Sequence, residues 1–150
     1  MTEILFYHLQ RQPLEAVLPT LVEKSIERGW RVAIEVPGPE RLSALDDHLW
    51  TYRDESFLPH ATDQVADCAD ERILLTSGSA NLNKADVRFL VDGAVVGEDI
   101  ESYQRIILMF DGNDDVALSR AREEWRKIRA LGHEATYWQQ DEMGRWAKKG

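Results

Sequence analysis

The sequence predicts one α/β domain of three layers, with a mostly parallel sheet and helices on both faces. Short apolar runs alternate with segments of helical spacing, as in strand-helix-strand units. One of those runs, RIILMFD (105–111), is apolar almost throughout, as a strand covered on both faces must be. The 150 residues are 43% apolar and include five tryptophans, enough for one real core and against disorder.

ILFYHL (4–9) is an unbroken apolar and aromatic run, hence a buried strand. In LEAVLPTLVEKSIERG (14–29), Leu14, Val17, Leu18, Leu21, Val22 and Ile26 recur at helical spacing, and Gly29 ends the helix. Pro19 leaves two readings. The helix starts near Leu18 with Pro19 in its first turn, or its first turns are kinked. WRVAIEV (30–36) is a strand. Pro39 opens the next helix, ERLSALDDHLW (40–50), with Leu42, Leu45, Leu49 and Trp50 on one face.

Residues 52–70 form a long connection without a period. RILLTS (72–77) and VRFLVDG (87–93) are strands flanking a polar, turn-rich loop. RIILMFD belongs at the sheet's centre. DDVALSRAREEWRKIRALG (114–132) is a long helix stopped by Gly132, with Asn113 or Asp114 as its cap. HEATYWQQ (133–140) alternates like a half-exposed terminal strand. Residues 143–150 are expected to be a loose tail of the single domain 1–150. The topology is thus Rossmann-like, but neither GxGxxG nor GxxxxGK[ST] is present, so it lacks a nucleotide-binding loop.

Other chemistry is also missing. CxxC, HExxH and GxSxG do not occur, and the four histidines are scattered over different elements, so none receives a catalytic role. No cofactor is expected. The strongest enzymatic reading is a metal-dependent phosphotransferase or nuclease built on Asp92, Asp111 and Asp114, carboxylates at the ends of two strands. The competing and favoured reading is that DGNDD (111–115) is a turn and helix cap. Lone Cys68 fits a reducing cytoplasm. No signal peptide or membrane span is expected. A net charge of −9 repels nucleic acid and anionic lipid as a whole, which makes any cluster of arginines informative.

Such a cluster lies on the last helix. At about 100° per residue, Ala117, Ala121, Ile128 and Leu131 form a core face. Leu118, Arg122, Trp125, Arg126 and Arg129 form another, from which Glu123 and Glu124 project away. This face reads equally as a solvated charged surface or as an anion-binding strip. A strip of this kind suits a peptide ending in an apolar side chain and a free carboxylate. Arginine grips the carboxylate, and Trp125 with Leu118 supplies an apolar wall.

The segments FYHL, ERGWRV, LDDHLW, DESFLPH, RIILMFDG and AREEWRKIRALGHEATYWQQDEMGRW, in order through nearly the whole chain, resemble the chi subunit of bacterial DNA polymerase III. Residues 61–86 carry no motif. The resemblance implies a non-catalytic accessory protein of the replicase clamp-loader assembly. It implies binding of the acidic, phenylalanine-ending C-terminal tail of single-stranded DNA-binding protein at Arg122, Trp125, Arg126 and Leu118, and the helical face adds Arg129 beside Arg126 as a basic rim. It implies a second surface at Trp50 and Phe57 for the psi subunit or another clamp-loader or helicase partner. DESFLPH is then part of a binding surface rather than a catalytic loop. Some members of the family carry lysine where Leu118 stands, and psi is not recognisable in many lineages. Location in the bacterial cytoplasm, at the nucleoid through the replisome, follows from the same resemblance.

Overall fold

The structure, a computed structural model, describes residues 2–10, 12–51, 61–62, 71–78, 81–97, 100–143 and 145–149; the side chains of Trp50, Thr51 and Ala61 lie outside that description. In chain order the elements are β1 (Glu3–Leu9), α1 (Leu14–Glu27), β2 (Val32–Glu35), α2 (Pro39–Thr51), β3 (Ala61–Thr62), β4 (Ile73–Thr76) and β5 (Val87–Leu90). A short 3-10 turn (Ile100–Ser102), β6 (Arg105–Asp111), α3 (Asp115–Ala130), β7 (Ala135–Gln140) and β8 (Trp146–Lys148) follow.

The strands form one sheet in the order β3-β4-β2-β5-β6-β1-β7-β8. Every neighbouring pair is parallel except β7 with β8. β6, the most apolar run, lies between β5 and β1 and is buried from Ile106 to Phe110, as its composition demands. The period-two alternation of the strands divides the core. Leu5, Leu9, Ile34, Phe89 and Met109 face one way and pack with Val17, Leu18 and Val22 of α1 and Leu42, Leu45 and Leu49 of α2. Ile4, Phe6, Leu90, Leu108 and Phe110 face the other way and pack with Ala121 and Ile128 of α3. This is the expected three-layer α/β arrangement.

Four details depart from the sequence reading. α1 begins at Leu14 and holds Pro19 in its interior, so a start near Leu18 does not hold. Pro19 has no N–H for the Glu15 carbonyl four residues back, and His48 Nε2 on α2 donates to that oxygen at 2.7 Å instead. The expected loose tail is partly ordered. β8 pairs with β7, Lys149 N–H donates to Tyr137 O at 2.6 Å, and Trp146 stacks on Tyr7 with ring centroids 4.9 Å apart. β7 is therefore not a sheet edge. Leu131, placed on the core face of α3, is exposed because it is the residue that closes the helix. Glu124 is buried in its stead, accepting from Val96 N at 2.8 Å and lying 3.6 Å from Lys127 Nζ. Its carboxylate anchors the loop after β5 to α3, and helical periodicity alone gives no sign of this.

Candidate functional site

α3 starts at Asp114, whose carboxylate accepts from Val116 N at 2.9 Å and Ala117 N at 3.3 Å. From there the helix crosses the sheet beside β6 and β7, and its lateral face carries the arginines. Leu118 and Trp125 are half-buried against the core, whereas Arg122, Arg126 and Arg129 are exposed. The Trp125 ring meets Phe6 edge-on with centroids 5.3 Å apart, and Tyr137 edge-on at 5.9 Å. The Arg129 guanidinium stands 5.8 Å from the centre of the Trp125 ring. Among the described residues Arg122 and Arg126 have no carboxylate partner. On a chain of net charge −9, two arginines beside a half-buried tryptophan form a local cationic patch against the overall field. The structure thus carries Leu118, Arg122, Trp125 and Arg129 on one helix, with Arg129 over the Trp125 ring and Arg126 one helical turn beyond Arg122. The side chain of Trp50 and all of Phe57 lie outside the described residues.

Two residues of this surface have no counterpart in the sequence reading. His8, on β1, and Tyr137, on β7, share a short hydrogen bond, Nδ1 to Oη, of 2.6 Å. The His8 ring also lies 5.2 Å from Phe110, centre to centre. Nε2 of His8 is buried and has no hydrogen-bond partner among the described residues. The imidazole occupies the space that a Cβ at Gly112 would need, and such a Cβ would fall within 2.9 Å of three ring atoms. Burial and the nearby Arg122 both push the His8 pKa below its ordinary value, with Asp111 opposing. Burial raises the Tyr137 pKa, against a smaller opposing effect of Arg122, so its hydroxyl stays protonated at neutral pH. The signal for this pair was the alternation in TYWQQ, but only the strand order shows that Tyr137 turns toward β1 and α3.

The lowered His8 pKa has a consequence for stability. Below the ordinary histidine value of about 6.5 the unfolded chain takes up a proton that the folded chain resists. Stability should therefore fall as the pH drops through that value, and level off once the folded pKa is passed. Glu15, held below its ordinary value despite burial by its bond to Arg41, titrates at still lower pH and leaves this window clear. Urea melts between about pH 7.5 and about pH 5.5 should show the decline in the wild type and a flatter profile in His8→Leu.

A second feature tests the metal-dependent reading. At the carboxyl ends of β1 and β6, where α1 leaves toward one face and α3 toward the other, a cleft of about 680 Å³ opens. Asp92, Asp111 and Asp114 all line it. Each is engaged structurally. Asp92 binds Arg41 Nε at 2.9 Å, Asp111 accepts from Asn113 N at 2.9 Å, and Asp114 caps α3. Among the described residues no three acidic, histidine or cysteine side chains gather as metal ligands. The acids open a helix and tie loops, as the turn-and-cap reading holds.

The family model described as DNA polymerase III chi subunit, HolC, matches residues 1–136. A curated relative, the probable DNA polymerase III subunit chi of Rickettsia prowazekii (strain Madrid E), is 24% identical over 117 residues. Those residues cover 74% of this chain and 71% of that protein. The family match includes every arginine of the α3 strip and ends one residue before Tyr137.

Proposed function

Since the chain belongs to the DNA polymerase III chi subunit family, we propose that it is a non-catalytic replisome accessory subunit linking the C-terminal tail of single-stranded DNA-binding protein to the clamp-loader assembly. The observation that carries this reading is the α3 strip, where Arg122 and Arg126, with no carboxylate partner among the described residues, stand beside the half-buried Trp125. An acidic tail ending in phenylalanine supplies what such a strip lacks. Arg122 takes the terminal carboxylate through parallel N–H donors. Trp125 and Leu118 form the wall for the apolar side chain, and Arg126 with Arg129 meets the acidic residues that precede it. Trp50 and Phe57 form the second surface, for psi or another clamp-loader or helicase partner. The chain works at the replisome in the cytoplasm, through protein contacts, since its charge of −9 disfavours direct strong binding to DNA or to an anionic membrane.

The reading is tested by titrating a labelled acidic peptide with a C-terminal phenylalanine across a salt series. Binding should be micromolar, about −7 to −8 kcal/mol, as for a small transient contact. It should weaken steadily with added salt, because exposed charges more than about 10 Å apart are screened at 0.1 M. Absence of binding at low salt would remove the proposed link.

A further inference from the structure

The His8–Tyr137 pair borders the α3 strip, with the Tyr137 ring edge-on to Trp125 at 5.9 Å between centroids. Both side chains lie within the electrostatic reach of Arg122. Tyr137 is half-buried and edge-on to Trp125, and its hydroxyl has one described hydrogen bond, to His8. What Tyr137 can offer a ligand depends on which nitrogen of His8 carries the proton.

Two neutral tautomers compete. With the proton on Nε2, a buried N–H faces the Gly112 backbone without an acceptor, and Nδ1 accepts from the Tyr137 hydroxyl. With the proton on Nδ1, that N–H donates to Tyr137 Oη, and only a lone pair is left bare at Nε2. A buried donor without an acceptor is the rarer and costlier of the two defects. The second tautomer is therefore favoured, and the Tyr137 O–H that it frees belongs to a half-buried residue and can turn to water or to a ligand. The charged groups facing the imidazole are Arg122 from α3 and Asp111 from the end of β6. Neither supplies Nε2 with a hydrogen bond.

We infer that His8, held in its Nδ1–H tautomer, presents the Tyr137 hydroxyl as a second donor beside Arg122 for the terminal carboxylate of a bound peptide. This rests on the tail-binding reading and deepens it. Tyr137 is a specificity residue for the carboxylate, and His8 is a positioning residue acting through it. One guanidinium attracts any anion. A guanidinium and a hydroxyl that reach one ligand together favour a two-oxygen carboxylate over the corresponding amide, which turns N–H groups toward one of the two donors.

Tyr137→Phe removes the hydroxyl and keeps the ring on Trp125. Wild type and variant are titrated with the phenylalanine-ending acidic peptide as free acid and as C-terminal amide. Circular dichroism and thermal melts verify folding. The variant should lose about tenfold in affinity for the acid and little for the amide. In the unliganded wild-type chain, nitrogen NMR of the His8 ring should show the proton on Nδ1. Equal binding of the acid by Tyr137→Phe, in a protein that Arg122→Ala still weakens, overturns this inference alone. A proton on Nε2 does the same. A wild type that binds neither peptide overturns the tail reading and this inference together, while the NMR result still reports the tautomer.

Discussion

Gly112→Ala should destabilise the protein by on the order of 3 kcal/mol, the upper part of the usual range for overpacking. The added Cβ would fall into the His8 imidazole, within 2.9 Å of Nε2, Cδ2 and Cε1. The ring cannot easily yield. Its Nδ1 is tied to Tyr137, its flank meets Phe110, and it is buried. The glycine cannot easily yield either, because Gly112 N–H donates to Leu9 O at 2.7 Å at the exit of β1. Relief requires either breaking the His8–Tyr137 bond or lifting the turn that leads into α3. Urea melts of Gly112→Ala, His8→Ala and the double variant measure this directly. The double variant should be more stable than the sum of the two single losses predicts, because removing the ring makes room for the methyl. Strict additivity would mean that the turn and the ring do not constrain one another.

The same turn shows where a sequence is legible and where it is not. A helix cap at Asn113 or Asp114, which the structure resolves to Asp114, Gly29 at φ +83° and Gly132 at φ +85° past the ends of α1 and α3, and the central place of β6 were readable from local chemistry. These depend on a residue and its near neighbours. The need for glycine at 112 was not readable, because its cause is a histidine on another strand. The His8–Tyr137 pair is likewise set by parallel registers that place Phe6 opposite Leu108 on one side and opposite Tyr137 on the other. Pro19 within α1 looked like a breaker. It is tolerated because His48, from a different helix, takes the carbonyl left over. Glu124 looked like a solvated acid and is a buried anchor, because the loop that needs its carboxylate, at Val96, is 28 residues away.

For the α3 strip, spacing gave the common face of Leu118, Arg122, Trp125, Arg126 and Arg129, but not its depth. Trp125 is a half-buried wall seated on Phe6 rather than a ring lying free in solvent. That seating holds the Trp125 ring in place, so a peptide bound as proposed would pay little ordering cost there.

The central claim is that Arg122 clamps a terminal carboxylate, and calorimetry on wild type and Arg122→Ala with the phenylalanine-ending peptide as acid and as amide tests it most directly. Arg122→Ala should weaken binding of the acid by about 2 kcal/mol, roughly thirtyfold, through loss of a charge-assisted bond. Amidating the peptide should cost the wild type a similar amount. In the variant, amidation should cost much less, because the group that senses the charge most strongly is gone. The variant should keep its fold, since Arg122 is exposed and its guanidinium has no ion-pair partner among the described residues. If amidation costs Arg122→Ala as much as it costs the wild type, Arg122 is not the clamp, and the tail-binding account of α3 is contradicted.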